Sequence, residues 1–220
     1  MVSPAQRLDT LVEAAPPGTR FYLGTGVHTL GGGQYDQITP KSGMVFLGAP
    51  GAVLDGQQRN VYAFTGHATG VRIEHLTIQN FGTERDTFNE GVVNHDAGDG
   101  WQIRHNTVRE NGGAGVFVGD GNVVADNCLS HNGQYGFSAY ETDGVQDVVL
   151  EHNEIVGNNT ADWEATYEDC GCTGGGKFWE TTNADITGNW IHDNHGPGIW
   201  ADTNNTRFQS SPAMKCQGPR

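Results

Sequence analysis

The chain has 220 residues, 33 of them Gly, and its 12 Lys and Arg against 26 Asp and Glu leave a formal net charge of −14. Glycine is about twice its usual share of roughly 7 %, yet the glycines do not fall at every third position and Pro numbers only 8, which excludes collagen. Five Trp and nine Phe argue against disorder, no run approaches the ~18 apolar residues of a membrane span, and the lack of a Lys/Arg cluster excludes nucleic-acid binding through phosphate neutralisation.

The first predicted element is a helix over 3–15. Leu8, Leu11, Val12 and Ala15 fall on one face, and Ser3 stands where an N-cap belongs. Short apolar alternations follow at 21–23, 44–47 and 52–54. A weak copy of a repeat occupies 71–82, and four stronger copies occupy 101–120, 122–141, 148–159 and 184–202. Their first Asn is Asn106, Asn127, Asn153 and Asn189, at intervals of 21, 26 and 36 residues. A second Asn follows five residues later in each, at Asn111, Asn132, Asn158 and Asn194.

Each unit holds short apolar alternations separated by Asn- and Gly-rich bends. Ile103, Val124, Leu150 and Ile186 mark the first strand, and Val108, Leu129, Ile155 and Ile191 the second. Val116, Phe137 and Ile199 mark the third. Strands this short gain stability only by stacking on their equivalents one repeat away. The unit is too short for a helical crossover. The expectation is an all-β, single-stranded right-handed parallel β-helix, a solenoid of one domain over 1–220. Its capping α-helix would lie at 3–15, its coils at 20–202 and an irregular tail at 203–220. Asn at a bend tolerates left-handed backbone and can bond the next Asn of the stack, while Gly supplies the other corners. Residues that exceed the basic interval must leave the stack as surface loops: 83–90, 142–146 and 160–173. Nothing in 207–220 reads as a cap, so the last coil is expected to continue elsewhere or to self-associate.

Cys128, Cys170, Cys172 and Cys216 allow three disulfide connectivities, and Cys170-Gly171-Cys172 is too tight for easy mutual pairing. A single CxC without a second cluster of Cys or His gives zinc little support. The opening residues 1–7 show no basic stretch followed by an apolar one and do not read as a signal peptide.

At this point the sequence resembles a known family. The stretches 15–30 (APPGTRFYLGTGVHTL), 38–56 (ITPKSGMVFLGAPGAVLDG), the Asn repeats and 174–205 (GGGKFWETTNADITGNWIHDNHGPGIWADTNN) look like the bacterial right-handed parallel β-helix proteins grouped with pectate lyases, alginate lyases and mannuronan epimerases. The resemblance implies a secreted, carbohydrate-active protein with a polysaccharide partner; residues 1–7 leave two readings, a cytoplasmic chain or one whose signal peptide has been removed. The reaction implied is lysis or C5 epimerisation of a uronic-acid glycan. A glycoside hydrolase with paired carboxylates, or a non-catalytic glycan-binding or structural module, are the alternatives.

Such a coil carries its cleft on an outer face. If Val116, Phe137, Phe178 and Ile199 point inward, alternation stacks Phe117, Ser138, Lys177 and Trp200 on the outside, with Gly119, Tyr140, Trp179 and Asp202 beside them. Trp179, Trp200 and Phe117 offer flat faces for sugar rings, with Glu141 a further substrate contact. Lys177 is a candidate base or carboxylate neutraliser, Tyr140 a candidate acid, and Asp202 a third catalytic candidate. Lys177 could instead pair with Glu164 or Glu168 of the long loop. Asp202, Glu141 and Asp143 are candidate hard-oxygen ligands for Ca²⁺, which would bridge a chain of charge −14 to a polyanion.

Overall fold

The computed structural model describes residues 1–82, 91–167 and 171–210. Nearly every strand is three to five residues long, and all paired strands are parallel. They form three long sheets, one for each side of a right-handed parallel β-helix. The first sheet stacks Arg20–Leu23, Val45–Gly48, Arg72–Glu74, Gln102–Arg104, Val123–Ala125, Val149–Glu151, Asp185–Thr187 and Gln209–Ser210. The second runs from Gly26–Thr29 to Trp190–His192, and the third from Gly91–Val93 to Ile199–Ala201.

In-register stacking turns each inward position into a column. Phe46, Ile73, Ile103, Val124, Leu150 and Ile186 lie one above another in the first sheet. Leu54, Ile78, Val108, Leu129, Ile155 and Ile191 do so in the second. Most of these side chains are fully buried, each contributing about 1.5–3 kcal/mol of apolar transfer. Two or three per coil thus replace the thick core of an ordinary globule.

The corners are held by asparagine ladders. The Asn106 backbone N–H donates to Asn127 Oδ1 at 2.9 Å, that of Asn127 to Asn153 Oδ1 at 3.0 Å, and that of Asn153 to Asn189 Oδ1 at 2.9 Å. Each amide nitrogen donates back to a carbonyl of the preceding coil, Asn127 Nδ2 to Ile103 O at 2.8 Å for example. Asn111, Asn132, Asn158 and Asn194 repeat the pattern at the second corner. The left-handed residue is not the Asn but its predecessor: His105, Asp126 and His152 at the first corner, Glu110, His131 and Asp193 at the second. That residue turns the chain inward, and the Asn after it projects its amide into the stack.

The ends differ from the expectation. The helix spans only Leu8–Ala14, with Arg7 at its N-cap and no side-chain cap bond. Residues before it are drawn into the first sheet instead, where the Val2 N–H donates to Tyr22 O at 2.7 Å and Val2 O accepts from Gly24 N–H at 2.9 Å. Leu8 and Val12 still seal the core, as expected of a cap. At the other end the coil continues past 202. Thr206 bridges to Thr182, Gln209–Ser210 extends the first sheet, and Phe208 meets Phe178 edge-on at 5.0 Å between centroids. The polar residues around Phe208 hide this partial coil in the sequence. The expected loop 83–90 and the tail from 211 lie outside the described residues.

Candidate functional site

The outer face of the third sheet carries the predicted column. Phe117 pairs with Ser138, Ser138 with Lys177, and Lys177 with Trp200. Tyr140 and Trp179 follow at the ends of adjacent strands, their rings 6.1 Å apart and tilted. Tyr140 is exposed, Trp179 and Trp200 are half-buried, and Phe117 is almost wholly covered although it points outward.

Lys177 Nζ sits 2.7 Å from Asp202 Oδ2. It also donates to Gly171 O at 3.0 Å and lies 5.5 and 5.2 Å from the ring centroids of Trp179 and Trp200. A carboxylate, a carbonyl and two π faces are the partners of an ammonium. Its ion pair is with Asp202; Glu168 lies outside the described residues. Burial works against the Asp202 charge, but the hydrogen bonds and charge of Lys177, with Thr203, hold its carboxyl below the usual range.

The 160–173 loop reaches this cluster. Tyr135 Oη donates to Gly171 O at 3.0 Å, the same carbonyl that takes Lys177. Gly171 is left-handed, and a Cβ there would stand 2.8 Å from the Trp200 ring. Trp163, Tyr135, Ala114 and Cys172 form a second small core beneath the loop. Cys172 is disulfide-bonded and Cys128 is free, while Cys170 and Cys216 lie outside the described residues.

Next to the column lies an open cleft of about 560 Å³, lined by Phe117, Tyr140, Glu141, Thr142, Asp143, His67, His95, Asp96, Ala97 and Asp99. Glu141 is its most perturbed group. Burial first, then the carboxylates of Asp120 and Asp99, push its carboxyl up to about 7, against a hydrogen bond from the Asp120 backbone and the pull of His67. Its Oε1 is buried without a hydrogen-bond partner. His95 stacks flat on Tyr62 at 3.7 Å, with Nε2 3.2 Å from Asp96 Oδ1. Burial holds His95 below the usual imidazole range, with His67 adding to the effect and Asp96 opposing it.

Of the residues singled out from the sequence, Glu141, Tyr140, Phe117 and Asp143 line this cleft, Glu141 having been read as a substrate contact and metal ligand. His67, His95, Asp96 and Asp99 were missed. Their signal was the third-strand pattern at 91–93, one coil before 114–118, with His95 just beyond it.

The three proposed Ca²⁺ ligands do not form one site. Asp202 lies two coils beyond the Tyr140–Glu141 strand end, about 10 Å at a strand spacing of ~4.8 Å, whereas Ca²⁺ takes its oxygens at about 2.3–2.6 Å. Asp202 is also committed to Lys177. Among the described residues no three His, Cys, Asp or Glu side chains converge as a metal site.

A family model described as the right handed beta helix region matches residues 90–219. No curated protein sequence matches the chain. Among solved structures, the A-module of mannuronan C-5 epimerase AlgE6 of Azotobacter vinelandii is similar at 13% identity and a TM-score of 0.33, with 94% of each chain covered. The A-module of AlgE4 from the same organism is similar at 16% identity and a TM-score of 0.27, covering 96% of this chain and 92% of that one. The family match spans more than half of the chain, over the very coils whose register builds the face described above, and the chain belongs to the right-handed β-helix family.

Proposed function

We propose that this protein is a carbohydrate-active enzyme that moves the C5 proton of a uronic acid within a polysaccharide, as a lyase or a C5-epimerase. The observation that supports it is Glu141: a carboxyl held at about 7 in an open cleft, beside the exposed phenol of Tyr140. A carboxylate of that basicity takes a proton from carbon far better than an ordinary one, and still ionises near neutral pH. Glu141 is the base and Tyr140 the acid. In lysis the proton goes from C5 to Glu141 while the electron pair expels the O4-linked sugar, with Tyr140 protonating the leaving oxygen. In epimerisation Tyr140 returns a proton to the opposite face of C5 instead.

The remaining column serves binding. Trp179 and Trp200 carry sugar rings, and Lys177 meets the sugar carboxylate by exchanging it for Asp202. Two residues along the strand and one coil across separate the Lys177 and Tyr140 backbones, about 8 Å from standard strand dimensions. A saccharide unit or two spans that gap.

One observation favours a second reading, hydrolysis. Asp96, Asp99 and Asp143 line the same cleft as Glu141. A raised carboxyl acting as acid, opposite an ionised one, is the arrangement of glycoside hydrolases, and a net charge of −14 suits a neutral glycan.

Incubation with pectate, alginate and neutral β-glucans separates the readings. Lysis yields the ultraviolet absorbance of an unsaturated uronate. Epimerisation in D₂O yields deuterium at C5 without that absorbance, and hydrolysis yields new reducing ends alone. Glu141→Gln is expected to lower turnover by about 10²-fold or more. Full turnover by Glu141→Gln would remove the proposed mechanism. Glycan binding lost in Trp200→Ala, with no turnover in any protein, would make the chain a binding module.

A further inference from the structure

This inference rests on the proposed role of Glu141. We infer that Gly119 is a positioning residue of the site: its bare Cα, together with the left-handed backbone of Ala97, forms a cradle that seats the Glu141 carboxyl on the floor of the cleft with Oε1 turned inward.

The argument is one of space. A Cβ on residue 119 would stand 2.5 Å from Glu141 Oε1, 2.3 Å from Ala97 O and 2.9 Å from Ala97 Cβ. All three are closer than side-chain carbons approach other atoms. Gly119 does not have a positive φ, so conformational freedom is not what calls for glycine here. Ala97 does have one, at 48°, a strained conformation for a residue with a Cβ. Glycine at 119 in one coil thus leaves a hollow that the carboxyl of the next coil fills.

The cradle also selects a protonation state. Oε1 has no hydrogen-bond partner, and the Ala97 carbonyl borders the same hollow. A carboxylate oxygen shut from water with no donor to meet it disfavours the charged form, and a proton on the carboxyl removes that cost. With Oε1 shut away from water, substrate meets the carboxyl through Oε2. The carboxylates of Asp99 and Asp120 act in the same direction through space. Gly119 therefore acts through Glu141 and touches no substrate itself.

The test is a carbon-13 NMR titration of the Glu141 carboxyl in the wild-type chain and in Gly119→Ala, without substrate. The expected midpoint moves from about 7 in the wild type toward the ordinary value of 4.5 in the variant, as the carboxyl is pushed into water. On a substrate that is turned over, the acid limb of the kcat profile shifts by the same amount. An unchanged Glu141 midpoint in a folded Gly119→Ala overturns the proposal.

Gly119→Ala also strikes the Ala97 backbone and can destabilise the coil by that route. The double variant Gly119→Ala/Glu141→Ala separates the causes. If the carboxyl is what the new methyl displaces, Gly119→Ala lowers the melting temperature less in the Glu141→Ala background than in the wild type. An equal loss in both backgrounds overturns the cradle. Because the titration needs no glycan, a shifted midpoint without turnover counts against the enzymatic reading and not against the seating of Glu141 by Gly119.

Discussion

Replacing Glu141 by Gln should stabilise the protein above pH 7 and change little near pH 4. The sign follows from linkage. The carboxyl is held at about 7 in the folded chain against 4.5 ordinarily, so the folded state keeps its proton more tightly than the unfolded state. Ionisation therefore works against the fold as the pH rises from about 4.5 through 7, and below that window the group is neutral in both states. At about 1.4 kcal/mol per unit, the difference sets a ceiling of about 3.4 kcal/mol. The side chain is half-exposed and screened by water, which reduces the expected effect to about 1–2 kcal/mol. Gln keeps the shape and carries no charge. Urea denaturation of both proteins at about pH 4 and pH 8 measures the effect, since each pair differs only at residue 141. A stability difference that is the same at both pH values would refute the reasoning, as would a variant less stable than wild type at pH 8.

Asn127→Ala removes the acceptor of the Asn106 N–H and the donor to Ile103 O and Asn153 Oδ1. With buried groups left unpaired, a loss of about 3–4 kcal/mol is expected in urea titration, and less than about 1 kcal/mol would mean the ladder bonds are dispensable. Lys177→Met leaves Asp202 without its ion pair and should raise KM for a polyuronate at least tenfold while sparing affinity for a neutral glycan; equal losses on both would deny Lys177 a part in reading sugar charge. Phe208→Ala deletes the edge contact on Phe178 and is expected to cost about 1–3 kcal/mol, read as a lower melting temperature. An unchanged melting temperature would show that the last partial coil adds nothing to the stack.

What the sequence made legible follows from how a β-helix is wound. Parallel strands in register keep a constant offset from coil to coil, so alternation alone aligned Phe117, Ser138, Lys177 and Trp200, and the spaced asparagines announced both ladders. Interactions between coils were far less visible. Lys177 and Asp202 belong to different strands, and nothing local marks them as partners. His67, His95 and Asp99 belong to earlier coils, where Leu76 replaces the first Asn and the extension at 83–90 breaks the interval, so they carried no repeat label. The Glu141 shift depends on Gly119 and Ala97 beneath it, and a glycine in a chain with 33 of them attracts no notice.

The cost of Glu141 is itself an argument about its purpose. In the ladders buried polar side chains are answered: Asn106, Asn127, Asn153 and Asn158 spend their amides on neighbouring coils. A position two residues past the third strand has an easy alternative, a carboxylate extended into water. Glu141 instead folds back onto Gly119, buries an oxygen without a partner, and sits where Asp99 and Asp120 oppose its charge. Three unfavourable terms converge on one carboxyl, and they do so at the wall of an open cleft flanked by an exposed Tyr and a row of aromatic rings. Unfavourable placements of this kind persist where chemistry uses them. The same arrangement that makes Glu141→Gln stabilising is the one that makes this carboxyl able to take and return a proton near neutral pH, so a gain in stability accompanied by a loss of turnover is the joint signature to look for in that single variant.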